Sequence, residues 1–524
     1  MSYVPLRPFG RAVVPAPTGP QSAEFDRYAI EDVGVPQPVL MENAGRSAAL
    51  LLHRLHPEGP VVGVVGAGNN GGDTLVLLRS LAAWGREVRA VLAADRPEEE
   101  GLLHAWALPT VRDTELDDTG WAAVLGRAAV VVDGILGTGV RGAPRKRQAR
   151  AIVEVNRARR PVVAMDIPSG VDSETGAVPG EAVRADVTVA FGAPKLGSLL
   201  HPGRARVGRL LAVEIAFPPM EAAAASGMVI TPAWAQARLP VRPPDTHKNA
   251  VGRVLIVAGR EGMAGAGVMA ARAAFRAGAG LVQICSSSSN REIFQAAVPE
   301  AIFIHADDDE SLDAALQEAH AVAAGPGLGT DAQAAALLAR VLEGPAVPTV
   351  LDADALNLVA AGSVPPLPEI AADRPLLVTP HPGEMARLTG KDPHDIRSAR
   401  LHVVRDCAAE WGCSVLLKGA PSLVARPRDA VLVDGGGSSD LAVAGMGDVL
   451  TGVCGSLLAQ QVPATVAGAV ALYLSGRAAA LADLGPGLTP GDVVEHLPPA
   501  LEERGPGETE LDFPFLLFDQ DAAR

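Results

Sequence analysis

Aromatic side chains are scarce in this chain of 524 residues, where phenylalanine, tryptophan and tyrosine together make up 3%. Single-stranded nucleic acid is usually held on aromatic platforms, so it is a poor candidate partner. Positive charge is short as well: 45 Lys and Arg face 60 Asp and Glu, for a formal net charge of −15. That balance argues against nucleic acid or an anionic membrane surface as the main partner. It leaves small anions open, because glycine loops bind phosphate locally. The four cysteines, Cys285, Cys407, Cys413 and Cys454, show no metal-ligand spacing. So few thiols fit a reducing cytoplasm better than a disulfide scaffold. No run approaches the roughly 20 apolar residues of a membrane span. Val466 to Leu474 is apolar but short, and is expected to be a core helix. Met1 to Pro20 is proline-rich, carries Arg7 and Arg11, and has no apolar signal core.

What is present is 48% hydrophobic residues on a chain too long for one core, so two or more Ala/Val/Leu-built domains are expected. Residues 1–20 read as a loose tail. Helical patterns start at Ser22 to Ile30 and Leu40 to Leu52. Short apolar runs then alternate with Ala/Leu/Arg segments: Val61–Val65, Val88–Leu92, Val130–Val132, Val162–Met165 and Val187–Ala190. A second series comprises Val254–Val257, Leu281–Ile284, Ala301–Ile304, Val322–Ala324, Thr349–Leu351, Leu376–Val378, Val415–Leu417 and Val431–Val433. Strands alternating with helices imply mostly parallel sheets covered on both faces. Pro218 to Pro244 interrupts the texture. The expected division is a first domain over 21–222, a linker over 223–243, a second domain over 244–504 and a Pro/acidic tail over 505–524.

Ligands of open α/β sheets sit at the carboxyl ends of strands, and here those ends carry unusual residues. In the first half they are Gly66-Ala67-Gly68-Asn69-Asn70-Gly71-Gly72-Asp73, Asp133-Gly134-Ile135-Leu136-Gly137-Thr138-Gly139, Asp166-Ile167-Pro168-Ser169-Gly170 and Phe191-Gly192-Ala193-Pro194-Lys195. Any one of these is an ordinary Asn/Gly turn. Four together point to one pocket. In the second half, Gly262 to Gly267 opens a helix. Gly325-Pro326-Gly327-Leu328-Gly329, Asp352 to Leu356, Thr379 to Glu384 and Lys418 to Ser422 follow apolar runs. A lone His381 or Lys418 would more often be a loop histidine or a surface charge. At a strand end, though, Lys418 can neutralise phosphate. Ala444-Gly445-Met446-Gly447-Asp448 precedes an apolar run and reads as a glycine turn opening a helix, with Asp448 in its first turn. Such a turn can cap a helix. It can also offer N–H donors to an anion while the carboxylate takes a proton.

The first set, with Leu40-Met41-Glu42-Asn43-Ala44-Gly45, resembles the NAD(P)H-hydrate epimerase domain over about Phe25 to Phe217. The resemblance implies substrate contacts from Asn69, Asn70, Gly71, Gly72 and Asp73. It adds Gly137, Thr138, Gly139, Val140, Arg141, Gly142 and Ala143, together with Asp166. A potassium ion would be held at Asn70, Asp133 and Ser169, oxygen ligands that suit a hard cation. Asp166 and Lys195 are the candidates for proton handling. Thr74 stands where the family has glycine, and its Cβ would crowd the loop if the backbone took positive φ there.

The second set, "GMAGAG", "GPGLG", "LDADALN", "TPHPGEMARL", "LKGA" and "AGMGDVLTG" in that order, resembles the ribokinase-like superfamily over about Thr246 to Leu501. Within it the match is to ADP/ATP-dependent NAD(P)H-hydrate dehydratases. The resemblance implies that Lys418, Gly419, Ala420, Pro421 and Ser422, with Ser438 to Gly447 including Gly445 and Met446, line the nucleotide. Ala266, Gly327, His381, Glu384 and the segment to Arg387, and the catalytic Asp448, would face the hydrate. Ser422 keeps the hydroxyl of a frequent threonine, whereas Val443 loses one.

The expected fold is therefore α/β in two domains, an N-terminal Rossmann-like α/β/α sandwich and a C-terminal ribokinase-like α/β/α domain. The expected activity is epimerisation of the (R) and (S) C6 hydrates of NAD(P)H and nucleotide-dependent dehydration of the (S) form. Hydrated NADH or NADPH, ADP or ATP, and K⁺ are the implied partners, with Mg²⁺ on the nucleotide. A homo-oligomer in the cytoplasm is expected. The alternative is a ribokinase-like kinase of a small alcohol fused to a non-catalytic binding domain.

Overall fold

The computed structural model describes residues 13–96, 102–103, 106–218, 225–242, 244–245, 251–503, 511 and 513–522. They form two compact units, one drawn from 1–229 and 505–524, the other from 230–504.

The first unit contains β1 (Val14–Ala16), β2 (Val61–Val65), β3 (Val88–Leu92), β4 (Thr110–Arg112), β5 (Val130–Gly134), β6 (Val162–Met165), β7 (Val187–Phe191) and β8 (Arg209–Val213). A ninth strand, β9 (Gly227–Ile230), pairs antiparallel with β1. The second unit contains β10 (Arg253–Val257), β11 (Leu281–Ser286), β12 (Ile302–His305), β13 (Ala321–Ala324), β14 (Thr349–Leu351), β15 (Leu376–Val378), β16 (Ser414–Leu417), β17 (Leu423–Ala425) and β18 (Val431–Asp434). The chain then returns to the first unit as β19 (Leu516–Gln520).

In the first unit the strand order is β19-β8-β7-β6-β5-β2-β3-β4, parallel except for β19, which runs antiparallel to β8. Alternate residues feed opposite faces. Val61, Val65, Val130 and Val132 join one core cluster, and Val62, Val64 and Val131 another. Both faces are therefore covered, which explains strands that read as continuous Val runs. In the second unit the order runs β18-β17-β16-β15-β14-β13-β10-β11-β12, with β17 the antiparallel member. In each unit the carboxyl ends of the parallel strands share one edge.

Four expectations need correction. The tail expected over 1–20 contains β1, and Thr18 caps the helix Gly19–Arg27 by exchanging hydrogen bonds with Gln21; residues 1–12 lie outside the described set. The expected linker contains β9 and the helix Pro232–Gln236, capped by Thr231. Val229, Ile230 and Trp234 there are buried. The trailing tail contains β19, whose Leu516 and Phe518 are buried and whose Asp519 takes a two-pronged bond from Arg209 at 2.8 and 2.7 Å. Thr246 to Ala250 and 504–510 are not described. Finally, the short apolar helix expected at Val466 to Leu474 spans Ala464–Ala482, long and apolar enough by composition to cross a membrane. Ala467 through Gly476 are all buried within the second unit, so it serves as a core helix.

Candidate active sites

In the first unit the strand-end loops enclose a cavity of about 490 Å³. Asn69, Asn70, Asp73, Gly137, Thr138, Gly139, Val140, Asp166 and Lys195 line it, with Phe25, Met41, Ile215 and Phe217 supplying apolar wall. The segment expected as a glycine loop is the start of a helix, Asn69–Ala83, with Gly68 as its N-cap. Gly71 and Gly72 are in that helix because a Cβ at Gly71 would lie 2.1 Å from the Gly66 carbonyl oxygen, and one at Gly72 would strike Met41. Thr74 is helical too, so the positive φ that would have made it crowd a loop does not arise. Its hydroxyl donates to the Asn70 carbonyl at 2.9 Å. Arg141 and Ala143 are exposed, and Gly142 turns at φ +78. Gly71, Gly72, Arg141, Gly142 and Ala143 are absent from the cavity wall.

Asp166 ends β6 with φ +63, a conformation that L-residues rarely adopt and that strand-end sites tolerate. Its carboxylate accepts from the Phe191 N–H at 3.1 Å and from Lys195 Nζ at 2.5 Å. The Lys195 ammonium also donates to the carbonyls of Phe191 and Ala193, at 2.8 and 3.2 Å, so its three protons all have acceptors. Beneath the loops, Asp133 is wholly buried and accepts from the Ser169 hydroxyl at 2.6 Å and the Ser169 N–H at 2.8 Å. Burial pushes the Asp133 carboxyl up to about 6, against the pull of those bonds. Asn70 Nδ2 donates to the Leu136 carbonyl at 2.7 Å, and the Leu136 N–H donates to Ser169 Oγ at 2.8 Å. Leu136 thus links the three residues expected to hold potassium. Asn70 Oδ1 is buried and accepts no hydrogen bond.

In the second unit Asp448 lies in the first turn of the helix Met446–Ala459, which begins after Gly445 at φ +93. Asp448 is half-buried, and no hydrogen bond to its carboxylate is found among the described residues. Burial, then the nearby Asp352, push it up to about 6, against the pull of Lys418. Lys418 leaves the end of β16 and binds Asp352 Oδ1 at 2.6 Å, with Glu384 Oε2 at 3.9 Å. Burial works to lower the Lys418 pKa, but Asp352, Glu384 and Asp448 together hold it above its ordinary value. The other Asp352 oxygen accepts from Thr451 Oγ1 at 2.7 Å, one turn beyond Asp448. A Cβ on Gly447 would stand 3.5 Å from Lys418 Nζ and 3.6 Å from Asp352 Oδ2, so the turn lies against that ion pair. His381 Nδ1 accepts from the N–H groups of Gly383 and Glu384, and Glu384 accepts from the His381 N–H at 2.8 Å, a mutual cap that fixes both beside Lys418.

Ser422 Oγ donates to the Gly419 carbonyl at 3.0 Å, and Arg400 braces the same loop through the carbonyls of Lys418 and Pro421. Ala420 and Pro421 complete that loop, Met446 opens the helix, and Val443 is exposed. Gly327, at φ +57, would place a Cβ 3.2 Å from Ala266 Cβ, so those two residues adjoin. Their link to the acid site is indirect. Gly325 lies against the Asp352 carbonyl, and the Ala266 helix crosses the Asp448 helix where Gly452 meets Ala270. Asp352 opens a strand-end segment noted in the sequence, but the resemblance gives neither it nor Thr451 a site role. The signal was available for Asp352, an acid directly after the apolar run Thr349–Leu351, but Thr451 reads only as part of an apolar helix.

A family model described as NAD(P)H-hydrate dehydratase matches residues 254–499, and one described as YjeF-related protein N-terminus matches 37–197. The chain is 36% identical to the bifunctional NAD(P)H-hydrate repair enzyme Nnr of Moorella thermoacetica, over 92% of this chain and 95% of that protein. It is 36% identical to the enzyme of the same name from Escherichia coli, over 85% of this chain and 86% of that one. Among solved structures, an ADP/ATP-dependent NAD(P)H-hydrate dehydratase from Bacillus subtilis, co-crystallised with ATP/Mg²⁺, is 29% identical. It covers 52% of this chain and 96% of its own, with a TM-score of 0.45. Relatives that carry both halves set aside the alternative of a small-alcohol kinase fused to an inert domain. With more than a third of its residues identical along nearly the whole of both chains, this protein belongs to the family of bifunctional NAD(P)H-hydrate repair enzymes.

Proposed function

We propose that the first unit interconverts the (R) and (S) C6 hydrates of NADH or NADPH, and that the second dehydrates the (S) hydrate with ADP or ATP, releasing phosphate. The observation that carries this reading is an unpartnered carboxyl, Asp448, at a left-handed glycine turn beside an ammonium tethered to another acid. Hydroxide leaves a carbon poorly and phosphate leaves well. Asp448 takes the proton of the C6 hydroxyl as that oxygen attacks the terminal phosphoryl group. The turn amides and Lys418 stabilise the charge in transfer. The ring nitrogen lone pair then expels phosphate, and loss of a C5 proton restores the dihydropyridine. Lys418 to Ser422 and the turn Gly445 to Gly447 hold the nucleotide, with Mg²⁺ accompanying its phosphates. Ala266, Gly327, His381 and Glu384 face the hydrate.

In the first unit the cavity-lining residues bind the hydrate, and the Asp166–Lys195 pair handles the proton of water at C6. The potassium reading is supported by donor chemistry. Asn70 Oδ1 is a buried oxygen without a donor, next to a buried carboxylate and a hydroxyl. Among the described residues no cluster of His, Cys, Asp and Glu suits a transition metal. K⁺ would supply fixed positive charge under the loops. We place the protein in a reducing cytoplasm, in keeping with four buried free thiols.

The test is to incubate mixed hydrate epimers with the protein and follow the return of NAD(P)H absorbance with ADP, ATP or neither. Complete recovery with nucleotide and none without it is expected. Recovery that stops at the (S) share removes the epimerase assignment, and a stable phosphorylated product removes the dehydratase assignment.

A further inference from the structure

Asp73 is a cavity-lining carboxyl whose residue is 8% exposed, and no hydrogen bond to it is found among the described residues. It sits in the fifth position of the helix Asn69–Ala83, too deep to cap it, and that helix has no side-chain cap. Other buried acids of this unit are satisfied: Asp133 by Ser169, Asp113 by Arg147 and Glu154 by Arg157, as is the half-buried Asp166 by Lys195. A buried polar group without a partner costs stability, and its persistence asks for a role. Asp73 enters the cavity from the helix after β2, and Asp166 from the end of β6. Strand β5 lies between β2 and β6, so these two strands stand roughly 10 Å apart. The β5 loop residues Ile135 to Gly137 line the same cavity.

We infer that Asp73 is a catalytic acid of the epimerase half, giving its proton to the C6 hydroxyl of the hydrate while Asp166 serves the water that replaces it. The inference rests on the epimerase reading above. Burial, then the like charges of Asp166 and Asp26, hold the Asp73 carboxyl well above its ordinary range, against Lys195 and Arg96. That agrees with an acid that holds its proton more tightly than an ordinary carboxyl does.

The step balances within the pocket. The C6–O bond breaks as the Asp73 proton reaches the hydroxyl oxygen, which leaves as water. The ring nitrogen lone pair forms the N1=C6 bond, and the ring cation lies between two carboxylates. Water adds to the opposite face of C6, the N1=C6 pair returns to nitrogen, and the surplus proton goes to Asp166. That proton returns to Asp73 through solvent, and nothing is consumed. In the reverse direction the two acids exchange roles. Lys195, with its protons spent on Asp166 and two carbonyls, positions Asp166.

The test uses the full chain with nucleotide omitted, starting from the (R) hydrate and separating epimers by chiral chromatography. In Asp73→Asn, kcat for interconversion is expected to fall at least ~100-fold, the scale of general-acid catalysis. KM and directly titrated hydrate binding should stay within about threefold, since Asn keeps the size and neutral charge of the protonated acid and loses only the proton it gives. In the wild type run in ¹⁸O-labelled water, each interconversion should place one labelled oxygen on C6. A variant with unchanged kcat, a loss carried by KM or by failed binding, or wild-type interconversion without label would each overturn the inference. A wild-type chain that does not interconvert epimers at all would instead remove the epimerase reading, and that is seen before any substitution is made.

Discussion

The two units share one pairing and differ in how deeply the acid left over is buried. Each brings a lysine and carboxylates to the carboxyl edge of a parallel sheet. In the first, Lys195 is bonded directly to the strand-end acid Asp166. In the second, Lys418 is bonded to the strand-end acid Asp352, and in both units a helix acid, the 8% exposed Asp73 or the half-buried Asp448, has no hydrogen bond among the described residues. Pairing stabilises a charge, whereas leaving a carboxyl in a half-buried turn without a donor raises its affinity for a proton. Asp448, raised to about 6, suits a base that must take a proton, and Asp73, raised well above its ordinary range, suits an acid that gives one. The lesson is that the acid the ammonium leaves free does different chemistry according to how far burial raises its affinity for a proton.

The sharpest way to break that comparison is Asp448→Asn. Hydrate repair should fall about 10³-fold or more, within the range for loss of a general base with its positioning, while epimer interconversion in the same preparation is unchanged. Repair near the wild-type rate would mean that the free acid is not the base. Next in size is deletion of residues 511–524. It removes β19 and the Arg209–Asp519 bond, and exposes the core contacts of Leu516, Phe513 and Phe515. Losing buried Leu and Phe side chains costs ~2–5 kcal/mol each. Epimerase activity and the thermal transition of the first unit should therefore be lost, while dehydration of pure (S) hydrate survives.

Lys195→Met should destabilise the first unit by about 3 kcal/mol, the scale for stranding one partner of a buried ion pair, read from denaturant midpoints. The counterpart in the second unit is Asp352→Asn. The proposed base works only when ionised, so wild-type dehydration should fall as pH drops through about 6. Asp352 raises that value and Lys418 lowers it. Removing the Asp352 charge, and with it the lysine's tether, should move the inflection in kcat to lower pH. An inflection that stays in place would show that the tether does not tune the base. The smallest effect expected is from K⁺. At ten times its Kd, K⁺ should add about 1.4 kcal/mol, or roughly 3–5 °C. The gain should shrink at pH 5, where Asp133, pushed up to about 6, is protonated and the ion must displace that proton.

Much of this was legible in the sequence because local chemistry fixed it. Apolar runs between glycine loops marked twelve of the parallel strands within a residue or two, and Gly445 marked the turn before Asp448. The strands that sequence reading missed include β1, β9, β17 and β19, each completed by an antiparallel neighbour, and β8, which β19 covers. β19 is unreadable locally because its partner lies some 300 residues earlier, and Arg209 and Asp519 are ordinary surface types until they meet. The segment Asn69 to Asp73 misled in the other direction. Its two glycines suggest a loop, yet they serve a helix pressed against Gly66 and Met41.

By itself the sequence determined two α/β units, the loops that bear the chemistry, and the acid at the glycine turn. Those follow from periodicity and from backbone shapes that only glycine adopts easily. The tertiary structure alone decided which acid each lysine neutralises, that Asp73 faces a cavity without a hydrogen-bond partner among the described residues, and that β19 completes the first sheet. Such pairings are set by distances between residues far apart in the chain, and electrostatics and burial act through those distances rather than through sequence order.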